Sequence, residues 1–126
     1  MITILIIEDD KVVRDLTKDI LQAEWPECRI LEAGNGAEGI EYAVLEKPNV
    51  ILMDGNLPIM TGYQMAQLLR MMPSLHSIPI VAISGADSEH PMVIGMRNLC
   101  DAYLPKPYTP ESLIATVRQF LAAEGR

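Results

Sequence analysis

Basic residues are scarce in this sequence, and they do not cluster. Ten lysines and arginines stand against 17 acidic residues, which gives a formal net charge of −7 at pH 7. Binding to nucleic acid requires a basic run or stripe that neutralises phosphates, and the chain has neither. The composition therefore argues against direct nucleic-acid binding by this chain, whereas an acidic surface is compatible with a metal ion or a basic partner.

Cysteines and long hydrophobic runs are scarce as well. No CxxC motif or Cys/His cluster surrounds Cys28 or Cys100, so packing roles are expected rather than zinc binding. Two cysteines fit a reducing compartment. The apolar run 2–7 is too short for a signal peptide and ends in three acids, and no run is long enough to cross a membrane. We therefore predict a cytoplasmic protein without membrane insertion.

Hydrophobic residues make up 49% of the chain and follow two alternating patterns. Short apolar, β-branched runs predict strands at 2–7, 29–33, 50–53, 78–83 and 102–104. Apolar residues three and four apart predict helices at about 11–23, 36–46, 62–72, 86–98 and 110–123. Five βα units predict one domain, 1–126, of the α/β class. The expected architecture is a doubly wound, flavodoxin-like parallel sheet of five strands, order 2-1-3-4-5, with five helices covering both faces.

Two of the helices carry more specific expectations. In the first helix, Val12, Leu16 and Ile20 recur four residues apart, and Val13 and Leu21 widen this apolar stripe, which is predicted to face the core. The fourth helix has the weakest pattern, because Pro91 and Gly95 interrupt it, and it is expected to be short and frayed.

An abrupt change from apolar to acidic residues marks the candidate site. The buried run 50–53 ends on Asp54, and turn-forming residues follow. Alone, such a carboxylate could simply cap a loop. In the predicted strand order, however, the first and third strands are neighbours, and ligands bind beyond the carboxyl ends of strands at this point. Glu8 and Asp9 end the first strand, so three carboxylates are expected to lie close together.

Such a cluster requires a compensating positive charge. Oxygen ligands without histidine or cysteine favour Mg²⁺, or Mn²⁺, over zinc. Ser84 and Lys106 follow the fourth and fifth strands, so they reach the same edge of the sheet. Acids, a lysine and a hydroxyl around Asp54 suit phosphoryl transfer, with Asp54 as the in-line nucleophile.

In this order, the motifs resemble the receiver domain of two-component response regulators over essentially the whole chain. The matching segments are Ile-Leu-Ile-Ile-Glu-Asp-Asp at 4–10, Met-Asp-Gly-Asn-Leu-Pro-Ile-Met-Thr-Gly at 53–62, Val-Ala-Ile-Ser-Gly at 81–85 and Asp-Ala-Tyr-Leu-Pro-Lys-Pro at 101–107. The resemblance implies that Asp54 is the phosphoacceptor, taking a phosphoryl group from a histidine of a sensor kinase or a histidine phosphotransfer protein. The implied Mg²⁺ ligands are Glu8, Asp9, Asp54 and the backbone carbonyl of Asn56.

The resemblance also implies how the signal is passed on. Lys106, followed by a cis bond to Pro107, would bind a phosphoryl oxygen, while Ser84 and Tyr103 take the places of the switch hydroxyl and the switch aromatic. The fourth helix, fifth strand and fifth helix would form the output surface for a downstream domain or protein, or for a homodimer. The implied function is a signalling switch that assists only its own phosphorylation and dephosphorylation. The segment 98–100 differs from the Gly-containing turn usual before the fifth strand.

Other interpretations stay open at the level of the residues. Glu8 could be a solvated acid at the rim, Ser84 a turn residue and Tyr103 a half-buried strand residue. A phosphoaspartate hydrolase is a second function class, although Asn56 cannot supply the second catalytic acid that such enzymes need. A flavodoxin-like nucleotide binder is a third, although the acids at 8–10 would repel a phosphate. A receiver that binds partners without being phosphorylated is a fourth.

Overall fold

The computed structural model describes residues 1–85 and 90–124, with side chains described up to residue 121. Strands and helices alternate along the chain. The strands are β1 Thr3–Ile7, β2 Arg29–Ala33, β3 Val50–Asp54, β4 Ile80–Ser84 and β5 Ala102–Pro105. The helices are α1 Lys11–Glu24, α2 Gly36–Glu46, α3 Gly62–Met71, α4 Pro91–Leu99 and α5 Pro110–Glu124. In this part of the chain, the helices are too short or too polar to cross a membrane.

All five strands pair in parallel, in the order β2-β1-β3-β4-β5. The predicted doubly wound α/β fold is therefore confirmed. β3, at the centre, is buried over all five of its residues, because helices cover both faces of a parallel sheet. It extends one residue further than predicted and includes Asp54, since the next amide, that of Gly55, still donates to the carbonyl of Ile83 on β4 at 2.8 Å.

Each strand sends alternate side chains to two separate core layers. On β1, Leu5 and Ile7 face the layer covered by α2, α3 and α4, whereas Ile4 and Ile6 face the layer covered by α1 and α5. Both layers consist mainly of buried aliphatic and methionine side chains, whose removal from water supplies the main free energy of folding. The sheet therefore provides a rigid platform whose carboxyl edge carries the polar residues.

The predicted apolar face of α1 is wrong at Val12 and Leu16 but confirmed at Leu21. Val12 and Leu16 are 68% and 58% exposed, whereas Thr17 and Leu21 are buried. Thr17 tolerates burial because its hydroxyl donates to the carbonyl of Val13 at 2.9 Å and lies 2.7 Å from the Tyr108 hydroxyl, which is left as the donor of that bond. A pattern of apolar residues alone cannot reveal such a satisfied hydroxyl, so it favoured leucine over threonine.

The prediction that α4 is short is confirmed, since the helix has 9 residues, but Gly95 does not interrupt it and Pro91 marks its first residue. The helix begins at Pro91, where a missing N–H costs nothing, and the His90 imidazole caps it by accepting from the Met92 amide at 3.2 Å. The predicted start at residue 86 lies outside the described residues. Gly95 lies inside the helix, where a Cβ atom would come within 2.9 Å of the Tyr63 ring, so its lack of a side chain lets α4 approach α3.

The unusual turn before β5 is held by Arg70, at the end of α3. Its Nε donates to the carbonyl of Leu99 at 2.8 Å, which satisfies the last turn of α4. Its Nη1 donates to the carbonyls of His76 and Ile78, and its Nη2 to Asp101 at 2.7 Å. This guanidinium thereby replaces the glycine-type helix ending that segment 98–100 lacks.

Candidate functional site

The ends of β1 and β3 bring together the three predicted carboxylates. Ile7 pairs with Met53 in the sheet, so the residues that follow, Glu8 and Asp54, emerge side by side. Each of Glu8, Asp9 and Asp54 offers one oxygen, and these oxygens lie within 4.8 Å of one another. Glu8 and Asp54 are only 6% and 5% exposed, while Asp9 is exposed. Two buried anions side by side are costly unless a cation accompanies them.

Lys106 supplies one such cation. Its amide donates to the carbonyl of Ser84 at 3.0 Å, which fixes the end of β5 against β4. Its ammonium Nζ lies 3.3 Å from Glu8 Oε1 and 3.4 Å from Asp54 Oδ2. Burial disfavours the charge on Lys106, but the nearby charges of Asp54 and Glu8 outweigh it and raise the pKa of the ammonium. Lys106 is therefore held charged between the two buried carboxylates.

The single positive charge of Lys106 does not neutralise three carboxylates, and the pKa of Glu8 reflects this excess negative charge. Burial raises the pKa of the Glu8 carboxyl to about 7; the hydrogen bond from the Asp10 amide opposes this effect, and the charge of Asp54 adds to it. Three clustered oxygen donors with a remaining negative charge are the donor set that suits a hard divalent cation. The residues present thus fit the predicted Mg²⁺ or Mn²⁺.

The loop after β3 holds Asp54 at the mouth of the cleft. The amide of Asn56 donates to Asp54 Oδ1 at 3.2 Å, which orients the carboxylate. Further along, Ile59 has φ of 71° and is 83% exposed, and the amide of Met60 donates to the carbonyl of Pro58 at 2.7 Å across it. A β-branched residue in this left-handed region is strained. The loop therefore combines an oriented carboxylate with an exposed, strained turn at Ile59.

Ser84 and Tyr103 also meet, though through the backbone of Ser84. Ser84 is 3% exposed at the end of β4, beside the acid cluster. The Tyr103 hydroxyl donates to the main-chain carbonyl of Ser84 at 3.3 Å, and its ring packs against the α2–α4 core layer. The Arg97 guanidinium lies 4.5 Å from the ring centroid and ties Tyr103 to α4. The Lys106–Pro107 peptide bond is cis, as the resemblance implies.

The cleft continues from the acids toward α4, which sequence reasoning did not connect with the site. Its volume is about 770 Å³. Beside the acids it is lined by apolar side chains of α3 and α4, namely Tyr63, Met92, Val93 and Met96. Only the partial stripe of Met92 and Met96 could have indicated this, and such a stripe is equally typical of ordinary core packing.

The two thiols do not line the cleft that holds the acid cluster, whereas the His90 side chain lines it at the start of α4. Cys28 and Cys100 are free, and burial raises the pKa of both thiols, that of Cys100 to about 12. Protonated thiols fit the predicted packing roles. Both histidines, His76 and His90, are exposed.

Comparison with known proteins agrees with the fold and with the acid cluster described above. A profile of the response regulator receiver domain matches residues 4–118. Protein PilH of Pseudomonas aeruginosa is 33% identical over 97% of this chain and 99% of its own length. Several other curated relatives are longer, and the chain spans about half of their length.

Solved structures agree on the fold. The signal receiver domain of a DNA-binding response regulator protein (merR) from Colwellia psychrerythraea 34H superposes with a TM-score of 0.88 at 26% identity, covering 97% of this chain and 99% of that one. The Mn²⁺-bound form of response regulator Rcp1 superposes with a TM-score of 0.78 at 25% identity, covering 94% and 91%. The fold, the order of the motifs and the profile match agree, and the chain belongs to the receiver domain family of two-component response regulators.

Proposed function

We propose that this chain is the phosphoacceptor switch of a two-component phosphorelay, with Asp54 as the phosphorylated residue. The observation that carries the proposal is the buried Asp54 carboxylate, 3.4 Å from the Lys106 ammonium at the centre of the acid cluster. A carboxylate oxygen of Asp54 attacks the phosphorus of a phosphohistidine, the P–N bond breaks and the imidazole leaves. The product is an acyl phosphate on Asp54, and Lys106 pairs with one of the phosphoryl oxygens.

Glu8, Asp9, Asp54 and the backbone carbonyl of Asn56 are the proposed ligands of Mg²⁺, or of Mn²⁺. The clustered carboxylate oxygens and their excess negative charge support this assignment, as does the manganese-bound form of Rcp1. When bound, the cation neutralises charge on the phosphoryl oxygens. Among the residues of the chain itself, Lys106 binds the anion and Glu8 keeps Lys106 in place.

Ser84 and Tyr103 are the proposed switch residues. In this proposal the Ser84 hydroxyl donates to the phosphoryl group, and Tyr103 follows the movement of the β4 end to which its hydroxyl is bonded. Because Arg97 lies on the Tyr103 ring, such a movement reaches α4 directly. The output surface is then formed by α4, β5 and α5, whose equilibrium between two arrangements shifts on phosphorylation.

The proposed partners follow from this chemistry. The donor is a sensor histidine kinase or a histidine phosphotransfer protein, and the receiver of the signal is an output domain or protein that reads α4, β5 and α5. A homodimer through the same surface, a single domain over 1–126 and a cytoplasmic location belong to the proposal. The chain acts on itself as a signalling domain, assisting only its own phosphorylation and dephosphorylation, without nucleic-acid binding or membrane insertion.

Incubation with acetyl phosphate and Mg²⁺ tests the proposal. The protein should gain one phosphoryl group that hydroxylamine removes, as expected of an acyl phosphate. Asp54→Asn should gain none. Asp15→Asn, which removes a carboxylate on the exposed side of α1, should gain as much as the unmodified protein. Equal uptake by Asp54→Asn would reject Asp54 as the acceptor.

A further inference from the structure

Met96 of α4 reaches the backbone that directly follows the proposed phosphoacceptor. A Cβ atom at Gly55 would lie 2.9 Å from Met96 Cε and 3.2 Å from its Sδ, and one at Gly62 would lie 2.9 Å from Sδ. Met96 is 2% exposed, so this side chain fills the space that the two glycines leave open. We infer that Met96 is a positioning residue for Asp54, which holds the Asp54–Gly55 backbone in place from α4. This inference rests on the proposed function of Asp54.

The backbone beneath Met96 is packed closely. The amide of Gly62 donates to the carbonyl of Gly55 at 3.2 Å, and a Cβ at Gly62 would come within 2.8 Å of the Gly55 Cα. On its other side, a Cβ at Gly55 would lie 3.4 Å from the Ser84 Cβ. Gly55 thus lies between Met96 and Ser84, and a shift of Met96 changes the room available to both.

The position of α4 itself is fixed by a second close approach. Gly95, next to Met96, packs against the Tyr63 ring of α3 so closely that any side chain there would meet the ring. Val93 is also buried on this face of α4. The helix therefore presents Met96 to the Asp54 loop at a set distance. Interiors packed to this density transmit displacements rather than absorb them.

Truncation of Met96 should therefore impair phosphoryl transfer beyond any loss of stability. We expect Met96→Ala to slow phosphorylation by acetyl phosphate in saturating Mg²⁺ on the order of tenfold, since small misplacements of a reacting group are costly in rate. Met96→Leu preserves the volume and should restore most of the rate. Met65→Ala is the matched control, because Met65 is equally buried in the same core layer but packs toward Gly39 of α2. Its rate per folded molecule should equal that of the unmodified protein.

The two glycines supply a second test that depends on shape. Neither Gly55 nor Gly62 has a positive φ, so alanine is resisted there by space alone. Gly55→Ala should slow transfer by pressing on Met96, and Met96→Ala in the same molecule should relieve it. Gly62→Ala meets backbone atoms, at 2.8 Å and 3.0 Å, so Met96→Ala should not relieve it. A double-mutant cycle measures each coupling.

Amide hydrogen exchange of the unphosphorylated protein separates this inference from the proposed function. Met96→Ala should raise exchange at the Gly55 amide, and Met65→Ala should not. A raised exchange in a protein that accepts no phosphoryl group would leave the packing role intact and overturn the phosphoacceptor proposal. If the unmodified protein is phosphorylated, and Met96→Ala changes neither exchange nor rate, or Met65→Ala slows transfer equally, Met96 is not a positioning residue.

Discussion

Without a bound metal ion, the stability of this domain should fall between pH 5 and pH 8 because of Glu8. The perturbation that isolates this effect is Glu8→Gln, which keeps the shape of the side chain and an oxygen for the Asp10 amide but removes the ionisable proton. We expect Glu8→Gln to be more stable than the unmodified protein at pH 8 and nearly equal to it at pH 5.

The sign and the size follow from the pKa of Glu8. Folding raises that pKa from 4.5 to about 7, mainly through burial. The folded state therefore binds the proton more tightly than the unfolded chain, and this contribution to stability is full below pH 4.5 and lost as the pH rises through 7. At roughly 1.4 kcal/mol per pKa unit, the whole effect is about 3 kcal/mol, of which about 2 to 3 kcal/mol falls between pH 5 and 8. Lys106 does not interfere, because its pKa is raised above the ordinary value of 10.5 and the ammonium stays charged at both pH values.

Urea unfolding in EDTA at both pH values measures the difference. Glu41→Gln, on the exposed side of α2, is the control and should follow the unmodified protein at both pH values. Excess Mg²⁺ should stabilise the unmodified protein at pH 8 more than at pH 5, because protonation of Glu8 competes with the cation. An identical pH dependence of stability in Glu8→Gln and the unmodified protein would refute the argument that ionisation of the buried Glu8 carboxyl causes the loss of stability.

Three further predictions concern stability. Arg70→Met should lower the free energy of unfolding, measured in urea, by about 2 to 3 kcal/mol, because charged hydrogen bonds to several carbonyls and to Asp101 are lost. Arg70→Lys should not restore the stability, because an ammonium cannot reach all of these acceptors. Ile59→Gly should raise the free energy of unfolding by about 0.5 to 1 kcal/mol, because relief of the strained left-handed backbone at Ile59 exceeds the added entropy of the unfolded chain. The gain should appear as a higher midpoint of thermal unfolding. Tyr108→Phe should cost about 1 kcal/mol in urea through the lost bond to Thr17, and an unchanged midpoint would show that this bond contributes nothing.

The fold and the acid cluster could be predicted because both follow from local signals. The run 50–53 is short and apolar without alternation, as expected of a strand buried on both faces, and it ends on Asp54. Parallel strands bring their carboxyl ends to one edge, so Glu8 and Lys106 reach Asp54 even though Lys106 is far away in sequence. No side-chain detail was needed for that prediction.

The burial of Thr17 was missed because its hydroxyl is satisfied by a distant partner. Thr17 is buried because Tyr108, 91 residues later, donates to it, and a local pattern contains no trace of that bond. Arg70 supports the end of α4 through carbonyl groups, whose presence no sequence position announces. Met96 looked like one member of a partial stripe, and only the close packing against Gly55 gives it a role.

Main-chain hydrogen bonds fix the polar edge of the sheet at the residues that directly follow β1, β3 and β5. The amides of Glu8, Gly55 and Lys106 donate to carbonyls of the neighbouring strands, at 3.0, 2.8 and 3.0 Å. The groups that would hold a ligand are thus ordered by folding itself, and binding has little backbone entropy left to remove. A ligand bound there stabilises the whole sheet rather than a local loop, so its addition should raise the global free energy of unfolding by an amount that its affinity sets.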